Sequence, residues 1–316
     1  MKSDIEQNVA DKKSYSKKYI LTTVALLLFI FVALFFIFYT QKTRPDPASE
    51  KIIREAAAKE LGKDPNALKD EDYTQITSLS LQIKDSYNAF DIKSLEKFKN
   101  LKRLSISNYM SPRANMPEWK KILTKIHVLS LDDKVFIDLS PLEKINNLNE
   151  LSLEYVQIKD MSPLNNHTNL QILRLLGSSI SNLKTIKKLN NLEMLDLTKT
   201  NVVDIKPLKY LSSLKRLGLG QTKVSNLDSL GNLVYLRDLC LSETLIDNND
   251  LHALSKLPNL AVLYLRATKI SNIGQLKGCK ILSVLNIEDC TNIKDEQLND
   301  MKKTLPKILI YQMKSL

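Results

Sequence analysis

A chain of 316 residues, 43% hydrophobic and 26% charged, carries enough apolar surface for a sizeable core, which excludes an intrinsically disordered chain and a small disulfide-held scaffold. Its three cysteines, Cys240, Cys279 and Cys290, fall in no CxxC or Cys/His spacing, so neither a zinc site nor a disulfide framework is expected and the thiols are read as unpaired. The net charge of +11 comes largely from scattered lysines such as Lys184, Lys187, Lys188, Lys206 and Lys209, a pattern of a solvated outer face rather than a nucleic-acid groove.

In chain order, residues 1–18 bring Lys12, Lys13, Lys17 and Lys18 up to a charge-free run over residues 19–41, of which Ile20 to Tyr39 is almost wholly apolar. Twenty helical residues rise about 30 Å, the thickness of a bilayer hydrocarbon core, so the run is expected to span a membrane. A cleaved signal peptide would have a shorter apolar region and end at a small-x-small site. Here the run continues into YTQKTRPDP, which favours an uncleaved signal anchor. Only Lys42 and Arg44 lie immediately beyond it, so the positive-inside rule keeps residues 1–18 in the cytoplasm as a tail and exports the remainder to the periplasm or outside.

Residues 42–48, around Pro45-Asp46-Pro47, read as a linker. Residues 49–75 read as an N-terminal helical cap: Ile53, Ala57 and Leu61 form an apolar stripe, Ser49 stands as N-cap and Gly62 as the stop. Such a helix could cover the apolar end of a stack of repeats.

From Ile76 onward the chain is repetitive. Units over residues 76–316 start at Ile76, Leu101, Ile126, Leu148, Leu170, Leu192, Leu214, Leu236, Leu260 and Leu282, with a partial unit at Ile308; the four steps from Leu148 to Leu236 are each 22 residues. Within them runs the pattern LxxLxLxxTxIxxIxxLxxL. In the unit at Leu192, the period-two pair Leu195 and Leu197 predicts a short strand with inward leucines, and after Thr200 the three-residue spacing through Val202, Ile205, Leu208 and Leu211 predicts a 3₁₀ or irregular return. One unit is one turn of a coil. It buries too little to stand alone, so the turns must stack. At the far end Leu298, Met301 and Leu305 suggest an apolar helix face before Pro306, and Ile308 to Met313 a last strand.

These units resemble the 22-residue leucine-rich repeats of bacterial surface proteins, the internalins among them. IDLSPLEKINNL, IKDMSPLNNHTNL and VVDIKPLKYLSSL are similar to that family's return segment, and IIREAAAKELGKDPNALKDEDYTQITSLSL to a cap common in related proteins. The resemblance covers roughly residues 50–316 and implies an α/β fold class: a leucine-rich-repeat solenoid with short parallel strands on its concave face, an N-terminal helical cap and, from the apolar run at residues 19–41, one transmembrane helix. The ninth position, commonly asparagine in such repeats, here reads Ser178, Thr200, Thr222, Thr244, Thr268 and Cys290; a hydroxyl there can still satisfy buried backbone groups.

No catalytic constellation is visible. His127, His167 and His252 fall in different units without an adjacent nucleophile, and His167 occupies a Leu/Ile position, so a structural histidine is expected. Gly218-Leu219-Gly220 lacks the GK[ST] of a phosphate loop and would leave a shallow dent. Asp247, Asn249 and Asp250 read as a helix start before Leu251 and Leu254 rather than a calcium site. No cofactor, metal or small-molecule substrate is expected. Binding is expected on the outward strand residues: Asp132, Asp133, Glu150, Glu154 and Tyr155, then Arg174, Leu176, Met194, Asp196 and Arg216, and later Tyr264 and Arg266, with the Tyr155 to Arg216 stretch meeting a protein partner. A second segment, NYMSPRANMPEW in the lengthened unit after Leu101, is read as a short helix begun at Pro117 and packed through Trp119 and Ile122. The two functional classes are thus a membrane-tethered extracytoplasmic module for protein binding, in envelope organisation or cell contact, and an intracellular regulatory scaffold of the opposite topology, since 22-residue repeats also resemble those of phosphatase-regulatory subunits.

Overall fold

The computed structural model describes residues 46–83, 89–108 and 135–312. The expected tail, membrane span and linker up to residue 45 lie outside the described residues, as do Asp132, Asp133, His127 and the segment with Pro117, Trp119 and Ile122. Among the described residues no helix is long and apolar enough to cross a membrane. All described secondary structure belongs to the unit Pro47–Leu316.

That unit opens with helix α1 (Pro47–Leu61), followed by a single turn, α2 (Asp70–Tyr73). Ile53, Ala57 and Ala58 are buried and α1 packs on the first strand. Gly62 ends the helix at φ +64, and the N–H of Lys63 reaches back to the carbonyl of Ala58 at 3.0 Å, which satisfies an otherwise orphaned helix-end group. The N-cap expected at Ser49 is not there: the helix begins at Pro47, whose missing N–H costs nothing at that position. Ser49, inside the first turn and fully buried, instead accepts the N–H of Asp91 at 3.1 Å.

Among the described residues ten strands form one all-parallel sheet. In order they are β1 (Ser78–Gln82), β2 (Arg103–Ser107), β4 (Glu150–Glu154), β6 (Ile172–Arg174), β7 (Met194–Asp196), β8 (Arg216–Gly218), β9 (Asp238–Cys240), β10 (Val262–Tyr264), β11 (Val284–Asn286) and β12 (Leu309–Tyr311). β3 (Val135–Ile137) and β5 (Val156–Ile158) pair separately. The register stacks Leu151, Leu173, Leu195, Leu217, Leu239, Leu263 and Leu285 in one inward row, all buried. Two residues on, Leu153, Leu175, Leu197, Leu219, Leu241, Leu265 and Ile287 are also buried. This is the period-two reading of the repeat realised as a core.

One expected boundary is corrected. β2 pairs directly with β4, Arg103 opposite Glu150, so the unit assigned to Ile126 places no strand between them. The return segment Ser140–Lys144 packs against Lys93–Lys97, and Asn147 Nδ2 donates to the carbonyl of Lys99 at 3.1 Å. Ile126, Leu129 and Leu131, which would carry that unit's strand, lie outside the described residues.

The returns are short 3₁₀ segments, and an Asx turn starts most of them. The side-chain Oδ1 of Asp138, Asp160, Asn182, Asp204, Asn226 or Asn272 accepts the N–H two residues on at 2.8–3.0 Å, giving the backbone a local partner where no ladder is available. The hydroxyl ladder forms as its chemistry allows: Ser178 and Thr200, Thr222, Thr244 and Thr268 each donate to the carbonyl three residues earlier at 2.6–2.8 Å. Cys290 differs, its thiol reaching the carbonyl of Leu265 in the preceding turn at 3.1 Å. A one-turn helix, α3 (Leu251–Leu254), interrupts the 3₁₀ pattern after β9. At the far end helix α4 (Asp295–Thr304) buries Leu298 and Met301, and β12 closes the sheet.

Candidate partner-binding face

The face of the sheet opposite the leucines carries three rows. The first, one residue before the inward leucine, holds Glu150, Ile172, Met194, Arg216, Asp238, Val262, Val284 and Leu309; the second, one residue after it, holds Ser152, Arg174, Asp196, Gly218, Cys240, Tyr264, Asn286 and Tyr311. A third row, Glu154, Leu176, Thr198, Gly220, Ser242, Arg266 and Glu288, is held by backbone bonds of 2.7–2.9 Å between the turns that succeed the strands. Of the residues selected from the sequence, those among the described residues fall on these rows with one exception.

That exception is Tyr155. It lies past the third row with φ +56, in a left-handed position that recurs at Gly177, Lys199, Gln221, Glu243, Ala267 and Asp289, all with φ between 53 and 63. Only Gly177 is a glycine there, so period and composition did not betray the position. Tyr155 is half-buried and lays its ring over Gly177: a Cβ added at Gly177 would sit 2.6 Å from Tyr155 Cδ1.

Several of the other chosen residues are engaged internally. Arg174 forms an ion pair with Glu150, and each side chain retains under a third of its exposure. Asp196 accepts the N–H of Thr198 at 2.9 Å and fills the space above Gly218, where a Cβ would come within 2.5 Å of its Oδ1. The Gly218-Leu219-Gly220 segment is therefore covered by neighbouring side chains and leaves no dent at Gly218. Glu154 accepts the hydroxyl of Ser152 at 2.8 Å. Met194 and Leu176 are half-buried, and Arg216 is exposed.

Tyr264 and Arg266 stand apart from this stretch, further along the sheet at β10. Arg266 lies 3.0 Å from Asp289, 3.6 Å from Glu243 and 3.9 Å from Glu288. Around Tyr264 the structure collects residues that sequence reasoning passed over: Val262, Val284 and Leu309 in the first row, Tyr311 in the second. Val262 and Val284 keep the offset of Met194 and Arg216 from their unit starts, so extending the same rule would have found them.

The remaining candidates are structural. His167 is buried; its Nε2 lies 3.1 Å from the carbonyls of Leu142 and Ile145, and because both are acceptors this nitrogen carries the hydrogen. Burial holds its pKa below the ordinary imidazole value. His252 lies 3.2 Å from Asp228 and is exposed. Asp247 accepts the N–H of Asn249 at 2.8 Å while Asp250 accepts that of Asp247 at 2.9 Å, a reciprocal cap on the turn that leads into α3. The three cysteines are free thiols, and burial pushes Cys279 up to about 11. Among the described residues no cluster of His, Cys, Asp or Glu could hold a metal ion.

No protein-family model matches the chain, and no curated protein matches it. Among solved structures it is similar to internalin C2 from Listeria monocytogenes, with a TM-score of 0.60 at 23% identity over 78% of this chain and 98% of that one. It is also similar to the plant peptide hormone receptor RGFR1, solved in complex with RGF2, with a TM-score of 0.52 at 19% identity over 75% of this chain and 36% of the receptor. At such identities the likeness is one of fold, and together with the stacked leucine rows it places the chain in the leucine-rich-repeat fold, as an internalin-like solenoid.

Proposed function

We propose that the protein is a membrane-anchored, extracytoplasmic binding module whose open sheet face engages a protein partner, in envelope organisation or contact with another cell. The observation that carries the reading is the division of labour within each turn. Inward positions stay leucine or isoleucine from β4 to β11, whereas the rows on the opposite face change from turn to turn among acids, arginines, aromatics and aliphatics. A rigid, extended sheet with a variable face is suited to recognising another macromolecule. The likeness to a peptide hormone receptor solved in complex with RGF2 supports the same use of the fold.

Helix α1 serves as the cap that shields the first turn, since its buried residues lie against β1. Anchoring rests on the charge-free run over residues 19–41, and export on the lysines that precede it. A reporter enzyme active only outside the cytoplasm, fused to the C-terminus, is expected to be active; an inactive reporter at normal expression refutes export. Alanine at both Tyr155 and Arg174 tests the first placement of the partner, which fails if binding is unchanged.

A further inference from the structure

Stacking brings together lysines that the sequence spreads out. Lys184 and Lys206 are 22 residues apart, as are Lys187 and Lys209, so each pair holds the same place in successive turns. The return segments Ile186–Lys188 and Lys206–Tyr210 pack against each other, and Lys188 shares its place with Tyr210. All five lysines are exposed, and among the described residues none has an ion-pair partner. The acid beside these two returns is Asp204, whose Oδ1 accepts the N–H of Lys206 at 2.9 Å. The other acids of the same turns lie on the strand side, where Glu193 pairs with Lys215 at 2.9 Å and Asp196 holds the turn at Thr198. On the flanking turns Asp160 holds Ser162, and Asp228 faces His252 at 3.2 Å. Like charges held in register repel, so the two returns carry an uncompensated positive surface.

The returns bury Ile186 and Leu208 in the same core as the strand leucines, so their outer surface looks away from the open face. Tyr210 ends the second return and Val203 precedes it, each 53% exposed, and Lys209 Nζ lies 5.1 Å from the centre of the Tyr210 ring. Lysines that flank exposed aromatic and aliphatic groups suit an anionic lipid surface, where the ammonium groups meet headgroup phosphates and the apolar side chains enter the boundary beneath. A water-soluble polyanion would use the lysines alone. We propose that the outer face of these two returns docks on the anionic surface of the membrane that anchors the chain. This rests on the reading of residues 19–41 as a membrane span. The chain between that run and α1, residues 42–46, reaches at most about 18 Å, which gives the lipid surface a high effective concentration. Docked by its returns, the solenoid turns the open sheet outward, toward a partner.

The test reconstitutes the full chain in nanodiscs of phosphatidylcholine, alone or mixed equally with phosphatidylglycerol, and follows amine labelling of each lysine by mass spectrometry. Labelling at Lys184, Lys187, Lys188, Lys206 and Lys209 is expected to fall about fivefold or more in the anionic discs, the factor that one lysine gains near such a surface, and to recover as salt is raised. Lys199 and Lys223, which follow the strands, should label alike in both. A Lys187→Gln, Lys188→Gln, Lys209→Gln variant changes exposed side chains only, so it should keep the wild-type unfolding transition, while its remaining Lys184 and Lys206 label alike in the two discs. Equal labelling of the wild-type returns in both compositions overturns the docking and leaves the anchor standing; a chain that enters neither kind of disc removes both. Protection of Lys199 and Lys223 in place of the return lysines, or protection that salt does not reverse, also overturns the proposal. Protection by added soluble polyphosphate but not by the anionic discs would identify a polyanion as the occupant and likewise overturn it.

Discussion

Replacing Gly177 by alanine adds one methyl group at a position where two separate costs meet. The backbone there has φ +63, a conformation that costs an L-residue about 1–2 kcal/mol. The new Cβ would also lie 2.6 and 2.7 Å from Tyr155 Cδ1 and Cε1; the ring must move, and overpacking of this kind costs about 1–3 kcal/mol. Gly177→Ala should therefore destabilise by about 2–5 kcal/mol in total. Tyr155→Ala removes the second cost but not the first. In that background the glycine substitution should cost only about 1–2 kcal/mol, and the difference is the coupling between ring and backbone. Urea unfolding followed by far-UV circular dichroism, on the four members of the cycle, measures it. Equal costs in both backgrounds would show that the ring is not seated on Gly177. A substitution without cost in either would refute the left-handed backbone.

At the neighbouring left-handed position, Lys199→Gly removes about 1–2 kcal/mol of backbone strain against about 0.4–1 kcal/mol of added freedom in the unfolded chain, so the urea midpoint should rise slightly despite the loss of a side chain. His167 is held below its ordinary pKa by burial; the unfolded chain then binds the proton more readily, and stability present above about pH 6.5 should be lost as pH falls below it. His167→Leu should abolish that slope, read from urea midpoints on either side of about pH 6.5. Thr222→Val keeps the shape of a buried side chain but deletes the 2.6 Å bond to the carbonyl of Leu219, and should cost about 1–2 kcal/mol in the same assay.

The spacing of leucines was sufficient for the sheet because it is a direct image of burial: Leu195 and Leu197 are two apart because a strand returns to the same face every second residue. The hydroxyl ladder and the Asp247 cap were legible for a related reason, since each is a local bond between residues three apart or fewer. What was not legible depends on conformation or on distant pairing. The spacing at Ile126 calls for a unit between β2 and β4, yet these two strands pair directly, because spacing records only what a segment could bury. Tyr155 was placed on the open face because its neighbours in sequence are there, whereas the turn to positive φ carries it sideways over Gly177. Arg174 was chosen as an exposed anchor, and its partner Glu150 became visible only when parallel pairing brought β4 beside β6.

These differences bear on where the surface is free to evolve a contact. Beyond the backbone ladder, side-chain bonds to the backbone of each turn come mainly from residues off the open face: the Asx residues of the returns, the hydroxyls such as Thr200 and Thr222, and asparagines such as Asn191 and Asn259, whose amides donate to the preceding turn at 2.8 and 2.7 Å. Open-face side chains therefore owe little to the fold unless they have acquired a neighbour. Glu150, Arg174, Asp196 and Tyr155 have done so, and substituting them disturbs packing or charge within the sheet before it disturbs any partner. Tyr264, Leu309 and Tyr311 have large exposed surfaces and lie on the same rigid sheet. Substitutions there should separate recognition from stability, and that separation would distinguish a binding surface from a merely solvated face.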